Sequence, residues 1–180
     1  MVNLIEFFEL ANKLKWLERR GWVAKVKVKE TESVADHSFL TALMCMVIAE
    51  HKGLNSNKAV KMALLHDLAE SITGDYMPDD LTREMKSDRE MEAMKAILSK
   101  LPPKMRANFG KLWNEYKSMS SKEAMLVRQV DKLEMALQAS DYARKGYDVE
   151  LLSQFFLSAE EGIKDKELLH LLNALKSAKR

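Results

Sequence analysis

The stretch from Leu64 to Asp75 reads Leu-Leu-His-Asp-Leu-Ala-Glu-Ser-Ile-Thr-Gly-Asp and sets one imidazole and three carboxylates in an otherwise apolar segment. When residues 60–71 are read at helical spacing, Asp67 falls on the stripe that a helix turns toward the core. A buried carboxylate without a cation or hydrogen-bond donors costs several kcal/mol. We therefore expect Asp67 to be paired, to bind an ion, or to lie at the edge of the helix face.

The composition around this stretch is that of one ordinary globular domain. A chain of 180 residues can bury a core without disulfides or a structural metal, and 47% hydrophobic residues exclude a disordered chain. The formal net charge of +2 argues against a dominant attraction to a nucleic acid polymer, although a small anionic ligand needs only a local cluster of cations. We expect a single domain over residues 1–180.

Cysteine usage and the first residues bear on the compartment. Cys45 is the only cysteine, which excludes an intrachain disulfide framework and a thiolate zinc site. The first nine residues carry acids where a signal peptide carries a basic region, and no apolar run approaches membrane-spanning length. We therefore expect a cytoplasmic protein with no membrane partner.

The spacing of apolar residues predicts an all-α bundle. Six glycines and three prolines leave little material for the turns of an all-β fold. In the first predicted helix, Arg19 and Arg20 occupy the last turn before Gly21, and residues 22–29 follow as a loop. The predicted helices span about residues 4–20, 34–50, 57–74, 81–100, 103–117, 120–144, 149–161 and 166–176.

Two of the four histidines have an unusual context. His51 and His170 lie at polar positions of their helices, whereas His37 and His66 lie in apolar helical segments. A lone histidine in such a segment is more often a core residue than a ligand. The adjacent His66 and Asp67, with a second inward histidine on the preceding helix, favour a functional site instead.

At these residues the sequence resembles the HD-domain phosphohydrolase superfamily, in which a first histidine, a later His-Asp pair and a distant aspartate bind a divalent metal. The pattern corresponds to His37, His66, Asp67 and Asp131. The resemblance is closest to the compact 5′-deoxynucleotidases and their archaeal and eukaryotic relatives, and it spans nearly the whole chain. Four blocks carry it, in order: residues 21–22, 32–38, 66–70 and 73–75.

The residues alone leave the last ligand open. Without the resemblance, nothing distinguishes Asp131 from Asp141 on the same predicted helix. The alternative for Asp131 is a surface carboxylate paired with Arg128 or Lys132. Two imidazoles and two carboxylates suit one divalent ion, Mn²⁺, Co²⁺, Fe²⁺, Ni²⁺ or Mg²⁺, and Zn²⁺ is compatible.

We also assign roles to residues near the proposed ligands, and the resemblance itself suggests a phosphate-binding arginine. Glu70 is assigned general acid/base catalysis, and its alternative is an acid on the helix surface. Asp75 is expected to contact a sugar hydroxyl, a phosphate-bound water or a second cation, or else to supply charge at the N-terminus of the following helix. Arg19 or Arg20 is expected to bind the substrate phosphate, unless both only neutralise a helix C-terminus. Trp22 is expected to shape the pocket at the 2′ position, unless it is a core aromatic.

The leading function is a metal-dependent phosphomonoesterase that acts on deoxyribonucleoside 5′-monophosphates. The first alternative is another HD phosphohydrolase, acting on nucleoside polyphosphates or cyclic nucleotides. The second is a non-catalytic helical interaction module with a vestigial metal site, which the twelve methionines suggest. The resemblance implies a homodimer, and the C-terminal helices offer apolar stripes.

Overall fold

The computed structural model describes residues 2–77 and 80–177, and its regular secondary structure is helical. Within these ranges no strand occurs, and one isolated antiparallel bridge joins Glu18 to Ser33. The all-α prediction is confirmed. The helices are α1 (Leu4–Asn12), α2 (Arg20–Val26), α3 (Val34–His51), α4 (Ser56–Leu65), α5 (Glu70–Thr73), α6 (Arg83–Leu98), α7 (Pro103–Ser118), α8 (Lys122–Arg144), α9 (Val149–Gly162) and α10 (Lys166–Ser177).

Capping side chains explain where the long helices begin. At α3, the Ser33 hydroxyl accepts from the Asp36 N–H and the Asp36 carboxylate accepts from the Ser33 N–H, which forms a capping box. At α8, the Ser121 hydroxyl accepts from the Ala124 N–H. The predicted bounds of α3 and of α6 to α10 are confirmed to within about two residues at each end.

The first predicted helix is wrong beyond Asn12. The chain leaves α1 there, makes a 3₁₀ turn over Lys13–Lys15, and starts the separate helix α2 at Arg20. Gly21 therefore lies inside a helix, and residues 22–26 are not a loop. Trp22 is 1% exposed and stacks on Phe155 of α9, with ring centroids 4.0 Å apart. This burial outweighs the strand-like alternation that residues 22–29 show in sequence.

The third predicted helix is interrupted. α4 ends at Leu65, residues 66–69 form turns, and α5 begins at Glu70. The Leu68 amide donates to the Leu65 carbonyl and the Glu70 amide to the Asp67 carbonyl, so hydrogen bonds to the third preceding residue replace α-helical ones. An uninterrupted helix over residues 57–74 is therefore wrong, and the tighter turn brings the His66 and Asp67 side chains together.

Helix α8 lies at the centre of the bundle and positions the site. It packs against α3, α4, α7, α9 and α10. His37 of α3 and Glu134 of α8 are both fully buried where their helices meet. Among the described residues, no helix is both long enough and apolar enough to cross a membrane.

Candidate active site

Three of the four predicted metal ligands, His37, His66 and Asp67, bring one ligand atom each within 4.8 Å of one another, and Asp131 approaches this group through His37. Nε2 of His37 lies 3.3 Å from Nε2 of His66, 3.6 Å from Oδ2 of Asp67 and 3.2 Å from Oδ1 of Asp131. Nε2 of His66 lies 3.0 Å from Oδ2 of Asp67. These atoms come from α3, the turn after α4, and α8. Two imidazole nitrogens and one carboxylate oxygen at these separations fit a single divalent ion, with Asp131 beside His37 as the candidate for a second carboxylate ligand.

The ring nitrogens that face away from this point are both hydrogen-bonded. Nδ1–H of His37 donates to Oε2 of Glu134 at 2.5 Å, and Nδ1–H of His66 donates to the Ala63 carbonyl at 2.5 Å. A proton on Nδ1 leaves the lone pair of Nε2 free. A metal would therefore bind each ring through Nε2, and at His37, where Nε2 also pairs with Asp131, it would displace a proton.

Neighbouring charges and hydrogen bonds shift the pKa values of the residues in this cluster. Burial raises the pKa of Asp67, but the charges of His66, His37 and Arg19 outweigh burial and lower it. Burial also raises the pKa of Asp131, and its hydrogen bond with His37 outweighs that effect and lowers it. Burial and Arg19 lower the pKa of His37, whereas the hydrogen bonds with Asp131 and Glu134 raise it to about 10. Both aspartates are therefore ionised at neutral pH, as metal ligands must be.

Glu70 lies one turn beyond Asp67 and is buried. It is 7% exposed, and its Oε2 has no hydrogen-bond partner among the described residues. Burial, followed by the charges of Asp67 and Asp75, raises the pKa of Glu70 well above its ordinary value. The alternative of an acid on the helix surface is therefore wrong. A carboxyl group in this state can keep a proton at neutral pH and deliver it to a leaving group.

A cavity of about 520 Å³ opens over the cluster, and Asp67, Glu70 and Asp131 line part of it. Its volume is within the range of small-molecule sites. Cationic side chains surround these acids, namely Arg19, Lys25, Arg83, Lys86, Arg128 and Lys132. A basic rim around an acidic floor suits an anionic ligand that reaches the acids through a bound cation.

The two adjacent arginines point to different places. Arg19 lines the cavity, with Nη1 at 3.7 Å from Oδ2 of Asp67 and Nε at 3.8 Å from Oε1 of Glu32. Arg20 is half exposed and pairs with Asp80 on the surface. Arg19 precedes α2 and Arg20 begins it, so their predicted place in the last turn of a helix is wrong. Neither arginine neutralises a helix C-terminus there.

Asp75 and Trp22 border the same cavity. Oδ2 of Asp75 accepts the backbone N–H of Arg20 at 2.8 Å, so this carboxylate supplies charge to the N-terminus of α2. Nε1–H of Trp22 donates to Oε1 of Glu32 at 2.7 Å. Trp22 is a core aromatic with one edge on the cavity.

Four further residues support the site without having been predicted. Tyr116 packs its ring edge-on against His66, with centroids 5.8 Å apart, and its hydroxyl accepts from Nη1 of Arg128 at 3.3 Å. Glu134 accepts a hydrogen bond from His37, and Glu32 accepts one from Trp22. Glu134 follows Asp131 by three residues and so shares its helix face, which is a signal present in the sequence. Glu32 begins the block of residues 32–38 that carries the family resemblance, but no helical spacing pairs it with Trp22 or Arg19.

Known proteins with similar sequences and structures bear on this site. A family model described as HD domain matches residues 11–171. Human 5′-deoxynucleotidase HDDC2 is 40% identical over 97% of this chain and 85% of the human protein. Fission yeast (Schizosaccharomyces pombe) 5′-deoxynucleotidase hdd1 is 34% identical over 86% of this chain and 79% of its own length.

A solved structure agrees with these matches. The crystal structure of PH0347 protein from Pyrococcus horikoshii OT3 superposes with a TM-score of 0.77 and 36% identity, covering 95% of this chain and 97% of that one. The family model and the sequence relatives cover most of the chain. This chain therefore belongs to the HD-domain family.

Proposed function

We propose that this protein is a divalent-metal-dependent 5′-deoxynucleotidase, which hydrolyses deoxyribonucleoside 5′-monophosphates to deoxynucleosides and inorganic phosphate. One juxtaposition carries the proposal: Asp67 and Asp131, which contact His37 and His66, line one cavity with the buried acid Glu70 and a basic rim. Relatives named 5′-deoxynucleotidase, 40% and 34% identical to this chain, support it.

The proposed ligands of the ion are His37, His66, Asp67 and Asp131. When bound, a divalent ion lowers the pKa of a water molecule and neutralises phosphate charge. The donor set is compatible with Mn²⁺, Co²⁺, Fe²⁺, Ni²⁺, Mg²⁺ and Zn²⁺, so the order of preference among them is to be measured. Membership of the HD-domain family supports the binding of a divalent metal ion but does not identify the metal.

The remaining side chains provide binding and proton transfer. The guanidinium of Arg19, held between Asp67 and Glu32, is placed to bind a phosphate oxygen. As the oxygen of water adds to phosphorus and the bond to O5′ breaks, Glu70 delivers its proton to O5′, and a proton of the added water then restores the Glu70 carboxyl group. Asp75 accepts a hydrogen bond from a sugar hydroxyl, and Trp22 forms the wall that a 2′-hydroxyl would meet.

A phosphate-release assay on paired ribonucleotides and deoxyribonucleotides, after chelation and metal add-back, tests this function. We expect phosphate from deoxyribonucleoside monophosphates once Mn²⁺ or Co²⁺ is restored, and slower release from the ribonucleotides. Release of pyrophosphate from triphosphates, or cleavage of cyclic nucleotides, would instead identify another HD phosphohydrolase. No bound divalent ion and no rescue by added metal would identify an interaction module.

We further propose a single HD domain that forms a cytoplasmic homodimer. Cys45 is a buried free thiol, which suits a reducing compartment. Phe39, Leu43 and Val47 form an exposed apolar stripe along α3, with exposed fractions of 67%, 42% and 59%. Such a stripe on a helix is typical of a surface that a second molecule covers. Light scattering coupled to size-exclusion chromatography measures the oligomeric state.

A further inference from the structure

Two carboxylates, Glu32 and Glu134, lie behind the metal cluster. Glu134 is 0% exposed, and the side chain of Glu32 is 7% exposed. One oxygen of each carboxylate and one ring nitrogen of His37 lie within 4.8 Å of one another. Burying two acids at this separation is costly unless each holds a cation or a hydrogen-bond donor in place. Their partners therefore indicate what each acid does.

Glu134 faces the metal cluster. Its Oε2 accepts Nδ1–H of His37, and its own helix also carries Asp131 three residues earlier. A carboxylate on Nδ1 fixes the orientation of the ring and makes Nε2 a stronger donor to a metal. His66 has the neutral Ala63 carbonyl in the same position, so the two histidines differ in the acceptor behind them. Oε1 of Glu134 has no hydrogen-bond partner among the described residues.

Glu32 does not line the cavity itself but contacts two residues that do, Trp22 and Arg19. Its Oε1 accepts Nε1–H of Trp22 at 2.7 Å and lies 3.8 Å from Nε of Arg19. Its backbone N–H donates to the Tyr142 hydroxyl at 2.9 Å, which anchors the segment before α3 to α8. Arg19 thus pairs with Glu32 through Nε and with Asp67 through Nη1. Removal of the Glu32 charge therefore releases Arg19 and leaves the hydrogen bond to His37 in place.

We propose that Glu134 and Glu32 are positioning residues with separate duties. Glu134 orients His37 for metal binding, and Glu32 orients Arg19 for phosphate binding. The inference rests on the proposed function, in particular on the metal cluster and on Arg19 as the phosphate ligand. The inference goes beyond the proposed function because it assigns metal affinity to Glu134 and phosphate affinity to Glu32.

Metal affinity of the full chain tests the first duty. Calorimetric titration with Co²⁺ and Mn²⁺ should give a Kd about 10- to 100-fold higher for Glu134→Ala than for the wild type. Glu134→Gln keeps an acceptor for Nδ1–H without the charge, so its Kd should rise less. The matched control Glu32→Gln removes a neighbouring buried charge and should leave the metal Kd within about twofold. An unchanged Kd for Glu134→Ala would overturn the assignment.

Phosphate affinity tests the second duty. With protein saturated with Co²⁺, titration with inorganic phosphate should give a Kd about fivefold higher for Glu32→Gln and nearly unchanged for Glu134→Gln. Far-UV circular dichroism confirms that each variant is folded, and the near-isosteric glutamine variants carry the conclusion where Glu134→Ala does not fold. If both glutamine variants weaken the binding of metal and of phosphate equally, the two acids only support the fold and the proposal is wrong.

These titrations also separate this inference from the proposed function. Suppose that Glu134→Gln weakens metal binding alone and Glu32→Gln weakens phosphate binding alone, while no deoxynucleotide is hydrolysed. The inference then stands and the proposed substrate class is wrong. If deoxynucleotides are hydrolysed but the metal and phosphate constants shift together, the proposed function stands and the separate duties are wrong. Wild-type protein that binds neither Co²⁺ nor Mn²⁺ would overturn both.

Discussion

At the scale of single residues, the site depends on carboxyl groups held in different protonation states. The pKa values of Asp67 and Asp131 are lowered, whereas that of Glu70 is raised. Asp67 has histidines and Arg19 around it, while Glu70 is buried beside the negative charges of Asp67 and Asp75. Two neighbouring acids of one short segment, Asp67 and Glu70, are therefore held in the two states that the proposed function requires of a charged ligand and of a proton donor.

The raised pKa of Glu70 predicts a pH-dependent loss of stability in the metal-free protein. In the unfolded chain this carboxyl titrates near 4.5, so the folded state binds more protons between that value and its raised pKa. Stability is therefore lost as the pH rises through this window. Because Glu70→Gln removes the loss, its Tm in chelator should exceed that of the wild type at about pH 8 and match it at about pH 4. A lower Tm of the variant at the higher pH would contradict this assignment.

The same side chain should control turnover more than metal binding. Glu70→Ala removes the proton donor but none of the proposed ligands, so the metal Kd should stay within about threefold while kcat falls about 100-fold or more. Calorimetry and steady-state phosphate release provide the two quantities. Unchanged turnover would remove Glu70 from the mechanism.

The two adjacent arginines should differ in kinetics. Arg19→Ala removes the guanidinium that lines the cavity, so kcat/KM for a deoxynucleotide should fall about 100-fold, mostly through KM. Arg20→Ala removes a half-exposed surface ion pair and should change kcat/KM by less than about threefold. Steady-state kinetics of both variants show which arginine binds phosphate. A larger effect of Arg20→Ala would assign phosphate binding to Arg20 instead of Arg19.

At the scale of secondary structure elements, local signals and distant contacts contribute differently to the fold. The beginnings of α3 and α8 depend on local signals, because the side chains of Ser33 and Ser121 each accept an N–H three residues later. Helix α2 was not predicted, because the contacts that bury Trp22 come from Phe155 and Tyr142 far along the chain. The interruption after Leu65 has no glycine or proline to mark it, so periodicity alone extends the helix through it.

The same distinction applies to the site. His37 and the pair of His66 and Asp67 stand out in sequence because polar groups interrupt apolar segments there. Asp131 required the family resemblance, since its distance of 3.2 Å to His37 depends on how α3 and α8 pack. Which of Arg19 and Arg20 lines the cavity depends on where α2 begins, and the sequence pattern does not predict α2.

The short helix α5 ends at Gly74, whose φ of +81° lies in the region that side chains disfavour. A Cβ at Gly74 would meet nothing within 4 Å, so Gly74→Ala acts through backbone strain alone and should cost about 1 to 2 kcal/mol. Relief of that strain displaces the adjacent Asp75 from the N-terminus of α2 and from the cavity. We therefore expect lower stability in urea together with a several-fold higher KM.

Gly146, which follows α8, provides the matched control. Its φ is +88° and its Cβ position is equally open, but it lies away from the cavity. Gly146→Ala should lose similar stability in urea and keep the wild-type KM. Equal changes of KM in both variants would mean that the strain acts on the whole fold and not on Asp75.

At the scale of the whole molecule, the cluster joins elements that are distant in sequence. His37 lies on α3, His66 and Asp67 follow α4, and Asp131 lies on α8, so an ion bound to all four would cross-link the centre of the bundle. In the unfolded chain these side chains are too far apart to bind one ion together. Metal binding should therefore stabilise the folded state specifically.

Removal of the metal should accordingly lower the thermal stability of the whole protein. A ligand that binds only the folded state adds about 2.7 kcal/mol at 100 times its Kd, which corresponds to a Tm increase of about 5 to 10 °C for a chain of this size. Calorimetric melts in chelator and with Mn²⁺ added back measure the shift. Asp131→Asn should abolish it, because the variant loses one of the four proposed ligands. Asp141→Asn, with the same charge change at a half-exposed position of the same helix, should keep it, and a shift that survives in Asp131→Asn would place the ion elsewhere.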